Sequence, residues 1–240
     1  MKKYLRLIAI FIAAAVFIFS AYQFYKSYLV YYFNERLYDS IVDKYVEFTN
    51  GEIPLQIDFE GLEDKNSDIV GWIYCEDTPI NYPVVQYVDN EYYLYRMFDG
   101  SKNKTGTVYM DYRNSTEPFD LNTILYGHSI HSKMMFTCVQ DYDTQDYYDA
   151  HPVMWYFTKE KAYRLDVIMS FTVDKWTADS YTMFAKPSEL QSYLADRIED
   201  SYFTSSVDIS SVEKIMTFST CSFDVENGRD ILVLSITEAE

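Results

Sequence analysis

A thiol, an imidazole and a guanidinium stand at places in this chain where they could share one piece of chemistry. Thr217-Phe218-Ser219-Thr220-Cys221 is a β-rich run that ends on the cysteine. A polar loop follows, and Arg229 opens a second such run, Asp230-Ile231-Leu232-Val233-Leu234. Far upstream, Asn122-Thr123-Ile124-Leu125-Tyr126-Gly127-His128 ends another apolar run on a histidine. Three strand ends can converge on one point. There Cys221 would attack a carbonyl, His128 would carry the proton, and Arg229 would hold a fixed positive charge against the developing oxyanion.

Each residue also has a plainer reading. A lone cysteine is often a small buried hydrophobe. A strand-end histidine often makes one structural hydrogen bond, and an arginine at a strand start is often a solvated charge. Alternation puts Thr217, Ser219 and Cys221 on one face and Met216, Phe218 and Thr220 on the other. The first face is mostly polar and does not read as core. His128 with His131 lacks the spacing of a helical zinc site and a clear third ligand. His151 precedes Pro152, outside these patterns.

The elements must bring these residues together, and composition limits how. The chain has 240 residues and a formal net charge of −17. That is long enough for one domain with a real core plus an extra segment. The charge argues against a nucleic-acid binder, which needs a basic face. The 25 tyrosines favour strands and binding surfaces. Three cysteines are an odd set, so at least one thiol stays free. Cys75 and Cys138 could pair. Met135, Cys138, Val139 and Tyr142 share a helical face, however, and that suits a buried thiol better.

Leu7 to Ala21 is almost wholly apolar, and with Tyr4 and Tyr22 at its ends it would span about 28 Å as a helix. Lys2, Lys3 and Arg6 flank its start, so the positive-inside rule places the N-terminus in the cytoplasm. A cleaved signal peptide is the rival, but Phe19 spoils the most natural cleavage position before Ala21. Residues 1–27 therefore read as a cytoplasmic tip and transmembrane anchor. Residues 28–67 read as an N-terminal helix and a connecting loop. The helix covers 28–50, stopped by Asn50-Gly51, and 51–67 is the loop.

Residues 68–240 read as the globular domain. Strands are expected over 69–74, 79–86, 106–111, 123–127, 153–157, 163–173, 214–220 and 229–236. A helical turn is expected within 91–98, and a broken helix over 133–148. A further helix is expected to be capped by Ser188, with Gln191 at the capping-box position. Many short strands at close spacing predict a barrel or sandwich with added helices.

These motifs together resemble the sortases. They are the Ser-Thr-Cys triplet, Gly228-Arg229 after it, and Tyr126-Gly127-His128 before it. Tyr112-Arg113-Asn114-Ser115 makes the chain resemble class B in particular. The resemblance covers roughly Asp68 to Ile236. It implies a mainly β fold: an eight-stranded sortase β-barrel preceded by a helix and a membrane segment. It implies a cysteine transpeptidase with His128, Cys221 and Arg229 as its catalytic residues. Substrate contacts would fall on Asn90, Leu94, Ser219 and Thr220. Asp224 would at most orient His128, and a loop acid is the plainer reading. No cofactor or metal is implied.

The implied partners are surface proteins ending in a sorting signal of the Asn-Pro-x-Thr-Asn or Ser/Pro-Pro-x-Thr-Gly kind, cut after Thr. The implied acceptor is a peptidoglycan stem or cross-bridge amine, or its lipid-linked precursor. The enzyme would sit in the cell membrane as a single-pass protein with its catalytic domain outside. A thiol peptidase resolved by water, or a non-catalytic surface module, are the competing readings. The chain departs from class C in lacking an Asp-Pro-aromatic lid. The loop from Cys221 to Gly228 is shorter than in some class B enzymes, which leaves its part in substrate binding open.

Overall fold

The computed structural model describes residues 2–130, 134–174, 183–222 and 227–239. It divides into two compact units, Met1–Ser40 and Ile41–Glu240. The first unit is most of a single helix, α1, which runs Lys2–Tyr45. Within it Lys3–Lys26 is long and apolar enough to cross a membrane. Its side chains, among them Phe11, Phe17 and Phe19, are exposed.

The second unit begins with the last turn of α1, where Ile41 and Tyr45 are buried. The helix then stops, earlier than the sequence suggests. Val46–Phe48 is a short strand, β1, paired with β2, Leu55–Ile57. Asn50-Gly51 is thus a hairpin tip and not a helix stop. Residues 55–65 are also not a loop. Asp58 accepts from the Gly61 amide and caps α2, Phe59–Lys65, whose Phe59 and Leu62 are buried.

Eight further strands close into a barrel. They are β3 (Ile69–Tyr74), β4 (Asn81–Val85), β5 (Val108–Met110), β6 (Asn122–Tyr126), β7 (Val153–Phe157), β8 (Ala162–Asp174), β9 (Ile215–Cys221) and β10 (Gly228–Glu238). Their order is β10-β8-β7-β3-β4-β5-β6-β9. The β4–β5 and β6–β9 pairs are parallel, and the rest are antiparallel. Closure leaves no free sheet edge in the barrel. Period-two patterning supplies the core, with Leu125, Phe218 and Leu232 side by side across three strands and fully buried.

The expected broken helix is a 3-10 segment, Thr137–Asp143, followed by α3, Gln145–Ala150. Cys138, Val139 and Tyr142 face inward there, as their shared face suggests. Cys75 and Cys138 are free and buried, so they do not pair. The last helix, α4, spans Pro187–Arg197. Ser188 does not cap it. Lys186 holds the cap position, Pro187 takes the first turn, and Glu189 accepts from the Ala185 amide. Leu190, Tyr193 and Leu194 of α4 pack on Phe171, Ile215, Ile231 and Val233 of the sheet.

Candidate active site

The face of β9 and β10 that α4 covers continues past the helix into a cleft. Ile215, Thr217, Ser219 and Cys221 alternate onto that face, as do Val233, Ile231 and Arg229. Cys221 and Arg229 are direct cross-strand partners. On the other flank, β6 runs parallel to β9 with Tyr126 opposite Ser219. Two residues further along each chain stand His128 and Cys221. The Gly127 amide donates to the Ser219 carbonyl and continues the pairing. Three neighbouring strands therefore deliver His128, Cys221 and Arg229 to one row.

All three line a cleft of about 340 Å³ together with Asn90, Leu94, Tyr126 and Ser219. Cys221 is exposed, while His128 and Arg229 are half-buried. The polar face of β9 is buried after all, because its groups find partners. Thr217 Oγ1 donates to Asn122 Oδ1 at 2.8 Å, and Ser219 is buried beside the cleft. Thr220 borders the cleft, but its hydroxyl is buried and has no hydrogen-bond partner among the described residues. Arg229 Nη1 donates to the Gly228 carbonyl at 3.0 Å, which orients the guanidinium.

His128 is held by backbone. Its Nε2 lies 2.8 Å from the Leu94 carbonyl oxygen. A carbonyl only accepts, so Nε2 carries the hydrogen and Nδ1 remains to exchange a proton. Leu94 belongs to a 3-10 turn, Tyr93–Tyr95. Gly106 makes this contact possible. Its φ is +66°, and an added Cβ would stand 2.9 Å from the Leu94 oxygen and 3.0 Å from His128 Cδ2. At Gly127 a Cβ would meet the Phe136 ring at 2.7 Å, so only glycine fits before the histidine.

A buried carboxylate, not foreseen from the sequence, organises one wall. Asp111, just after β5, is fully buried. It accepts from Arg113 Nε, Arg113 Nη2, Asn90 Nδ2 and the Tyr126 hydroxyl at 2.7 to 3.0 Å. Burial alone would raise its pKa, but the bonds from Arg113, Asn90 and Tyr126 prevail and hold the carboxyl below its ordinary value. Asn90 Oδ1 in turn accepts from the Tyr112 amide. Both ends of the Asn90 amide are thus engaged by the segment that precedes the histidine strand. Gln140 is a second unforeseen contact. Its Nε2 donates to the Cys221 carbonyl at 3.0 Å from the 3-10 segment below. His151 lies elsewhere, with Nδ1 near the Tyr147 carbonyl. His131 and Asp224 lie outside the described residues.

This barrel and cleft have known counterparts. The chain is 31% identical to sortase B of Listeria monocytogenes over 229 residues, covering 92% of each chain. It is 31% identical to sortase B of Staphylococcus aureus, covering 92% of this chain and 91% of that one. The chain belongs to the sortase B family. As a class B sortase it is a cysteine transpeptidase. A Staphylococcus aureus sortase B–substrate complex superposes with a TM-score of 0.70 at 32% identity, covering 76% of this chain and 85% of the other. A sortase B complexed with triglycine gives the same TM-score of 0.70 and 32% identity, covering 76% and 86%. No family model matches the chain. The eight-stranded barrel expected from the resemblance is the observed fold.

Proposed function

We propose that Cys221, His128 and Arg229 carry out the transpeptidation, on a surface protein that ends in a sorting signal. The observation that carries this is the strand register, which sets Arg229 opposite Cys221 and His128 alongside it. The Cys221 thiolate attacks the carbonyl carbon of the threonine in an Asn-Pro-x-Thr-Asn or Ser/Pro-Pro-x-Thr-Gly motif. A C–S bond forms, and the oxyanion is met by the Arg229 guanidinium, which stays charged throughout. His128 gives the proton on Nδ1 to the leaving amine as the C–N bond breaks. A thioester remains. An incoming peptidoglycan amine attacks it, a new C–N bond forms, the C–S bond breaks with Cys221 leaving as thiolate, and His128 takes the amine's proton. One peptide bond replaces another, so the reaction needs no ATP and no metal.

Asn90, Leu94, Ser219 and Thr220 would border the sorting peptide, since all four line the cleft. The substrate and triglycine complexes of the related enzymes support a peptide donor and an amine acceptor. Residues 1–27 would be the cytoplasmic tip and membrane anchor, 28–67 the helix and connection, and 68–240 the catalytic domain outside the cell. The candidate span Lys3–Lys26, with cations at its start, supports that topology.

Mass spectrometry of the enzyme with a sorting-motif peptide tests the reading. A covalent adduct on Cys221 is expected, discharged faster by triglycine than by water. Discharge of the adduct at a rate indifferent to added amine would instead favour a water-resolved peptidase, and cleavage with no adduct on Cys221 would refute the thiol mechanism.

A further inference from the structure

A second cavity, of about 650 Å³, adjoins the cleft. One short segment serves both. Leu94 lines the cleft, Tyr92 and Tyr95 line the second cavity, and Glu91 borders the two. The Tyr95 ring is 6.4 Å from the His128 ring, centre to centre. The second cavity thus begins one side chain away from the imidazole.

Its charge is unlike that of the chain as a whole. The sequence has 37 acidic residues against 20 lysines and arginines. Arg96, Lys102 and Lys104 nevertheless gather on this wall. Arg96 and Lys102 face each other across an antiparallel bridge, which puts their side chains side by side. The Arg96 guanidinium lies 4.4 Å over the Tyr92 ring and forms no ion pair among the described residues. Its Nε is buried without a hydrogen-bond partner there, and the three cations of this wall outnumber its two acids, Glu91 and Asp89. Asp89 also lines the cavity, but its Oδ1 accepts from the Glu91 and Tyr92 amides. Neighbouring cations, one of them held against an aromatic ring, suit a bound anion.

We propose that this cavity seats the anionic part of the amine acceptor, a carboxylate or phosphate carried a few bonds from the attacking nitrogen. The proposal rests on the transpeptidase reading of Cys221 and His128. With its anion held beside Tyr92 and Arg96, the acceptor presents its amine past Tyr95 to His128 and the thioester. The cavity would then select the acceptor without taking part in acylation.

The test separates the two readings, because acylation needs no acceptor. The full chain in detergent is acylated with a sorting-motif peptide and offered three amines. These are glycylalanine amide, glycylaspartate amide and glycylphosphoserine amide. The wild type is expected to favour an anionic amine by about three- to tenfold at low salt. Preference for aspartate alone assigns the site to a carboxylate, and preference for phosphoserine to a phosphate. In Arg96→Gln and Lys102→Glu the preference should fall to near unity while acylation is unchanged. Lys102 is exposed, so its variant keeps the fold. Equal use of all three amines by the wild type, or a preference that survives both substitutions, overturns the proposal. If no acyl-enzyme forms, the transpeptidase reading fails instead. Binding of inorganic phosphate to wild type and to Lys102→Glu then decides the cavity, and equal binding rejects it.

Discussion

Exposure distinguishes the three thiols. Cys221 is open to solvent, whereas Cys75 and Cys138 are buried. Burial pushes the Cys75 thiol up to about 11 and the Cys138 thiol up to about 12, so both stay protonated near neutral pH. A charged thiol reagent should therefore modify the native protein once, at Cys221, and should leave Cys221→Ala unmodified. Peptide mapping checks this, and early labelling of Cys75 would contradict the packing. Arg229 poses a question of geometry. If it grips the oxyanion with a planar fork, lysine cannot replace it. Loss of one such donor costs about 3–4 kcal/mol, or about a hundred- to a thousandfold in rate. Arg229→Ala should lose acylation on that scale with its melting temperature kept, and Arg229→Lys should recover only a small part. Single-turnover acylation near the wild-type rate in Arg229→Lys would reject the fork.

The site is assembled from elements that need each other. The Leu94 turn reaches His128 only because Gly106 has no side chain. Gly106→Ala forces an unfavourable positive φ, worth about 1–2 kcal/mol, and drives a methyl at the Leu94 carbonyl. Acylation should fall by more than that stability loss explains, because His128 loses its anchor. A fully active Gly106→Ala enzyme would show that the bond to Leu94 is dispensable. Asp111 ties β5, the Asn90 loop and Tyr126 together. Its carboxyl is held below the ordinary value, so the charged form favours the fold. Its contribution is complete above about pH 4 and is lost as the pH falls through the depressed folded value. Asp111→Asn should cost about 2 kcal/mol near neutral pH. Below the folded value the gap to wild type should close. Denaturant curves at several pH values would show it, and a gap that widens in acid would reverse the sign.

At the scale of the molecule, Met1–Ser40 and Ile41–Glu240 form separate units, and the first holds a helix fit to cross a membrane. The full chain should sediment with membranes, and the chain lacking residues 1–27 should remain in the supernatant and still acylate. Full-length protein in the supernatant would refute the anchor. Much of this was legible in the order of residues. The apolar span, the alternating strands and the strand-end placing of His128, Cys221 and Arg229 are local patterns, set by hydropathy and by the period of two. The placing of the three proposed residues follows from such patterns because strand ends are where a barrel opens to solvent, whereas the roles proposed for them rest on the family resemblance. Other features depend on partners remote in sequence. Asn50-Gly51 suits a helix stop or a hairpin equally well, until Leu55–Ile57 pairs with Val46–Phe48. The polar face of β9 reads as surface, until Asn122 supplies the partner that lets Thr217 be buried. Asp111 looks like any strand-end acid, and only the fold brings Asn90 and Tyr126 to it. Hydrogen-bond satisfaction across distant segments decides burial, and no local pattern encodes it.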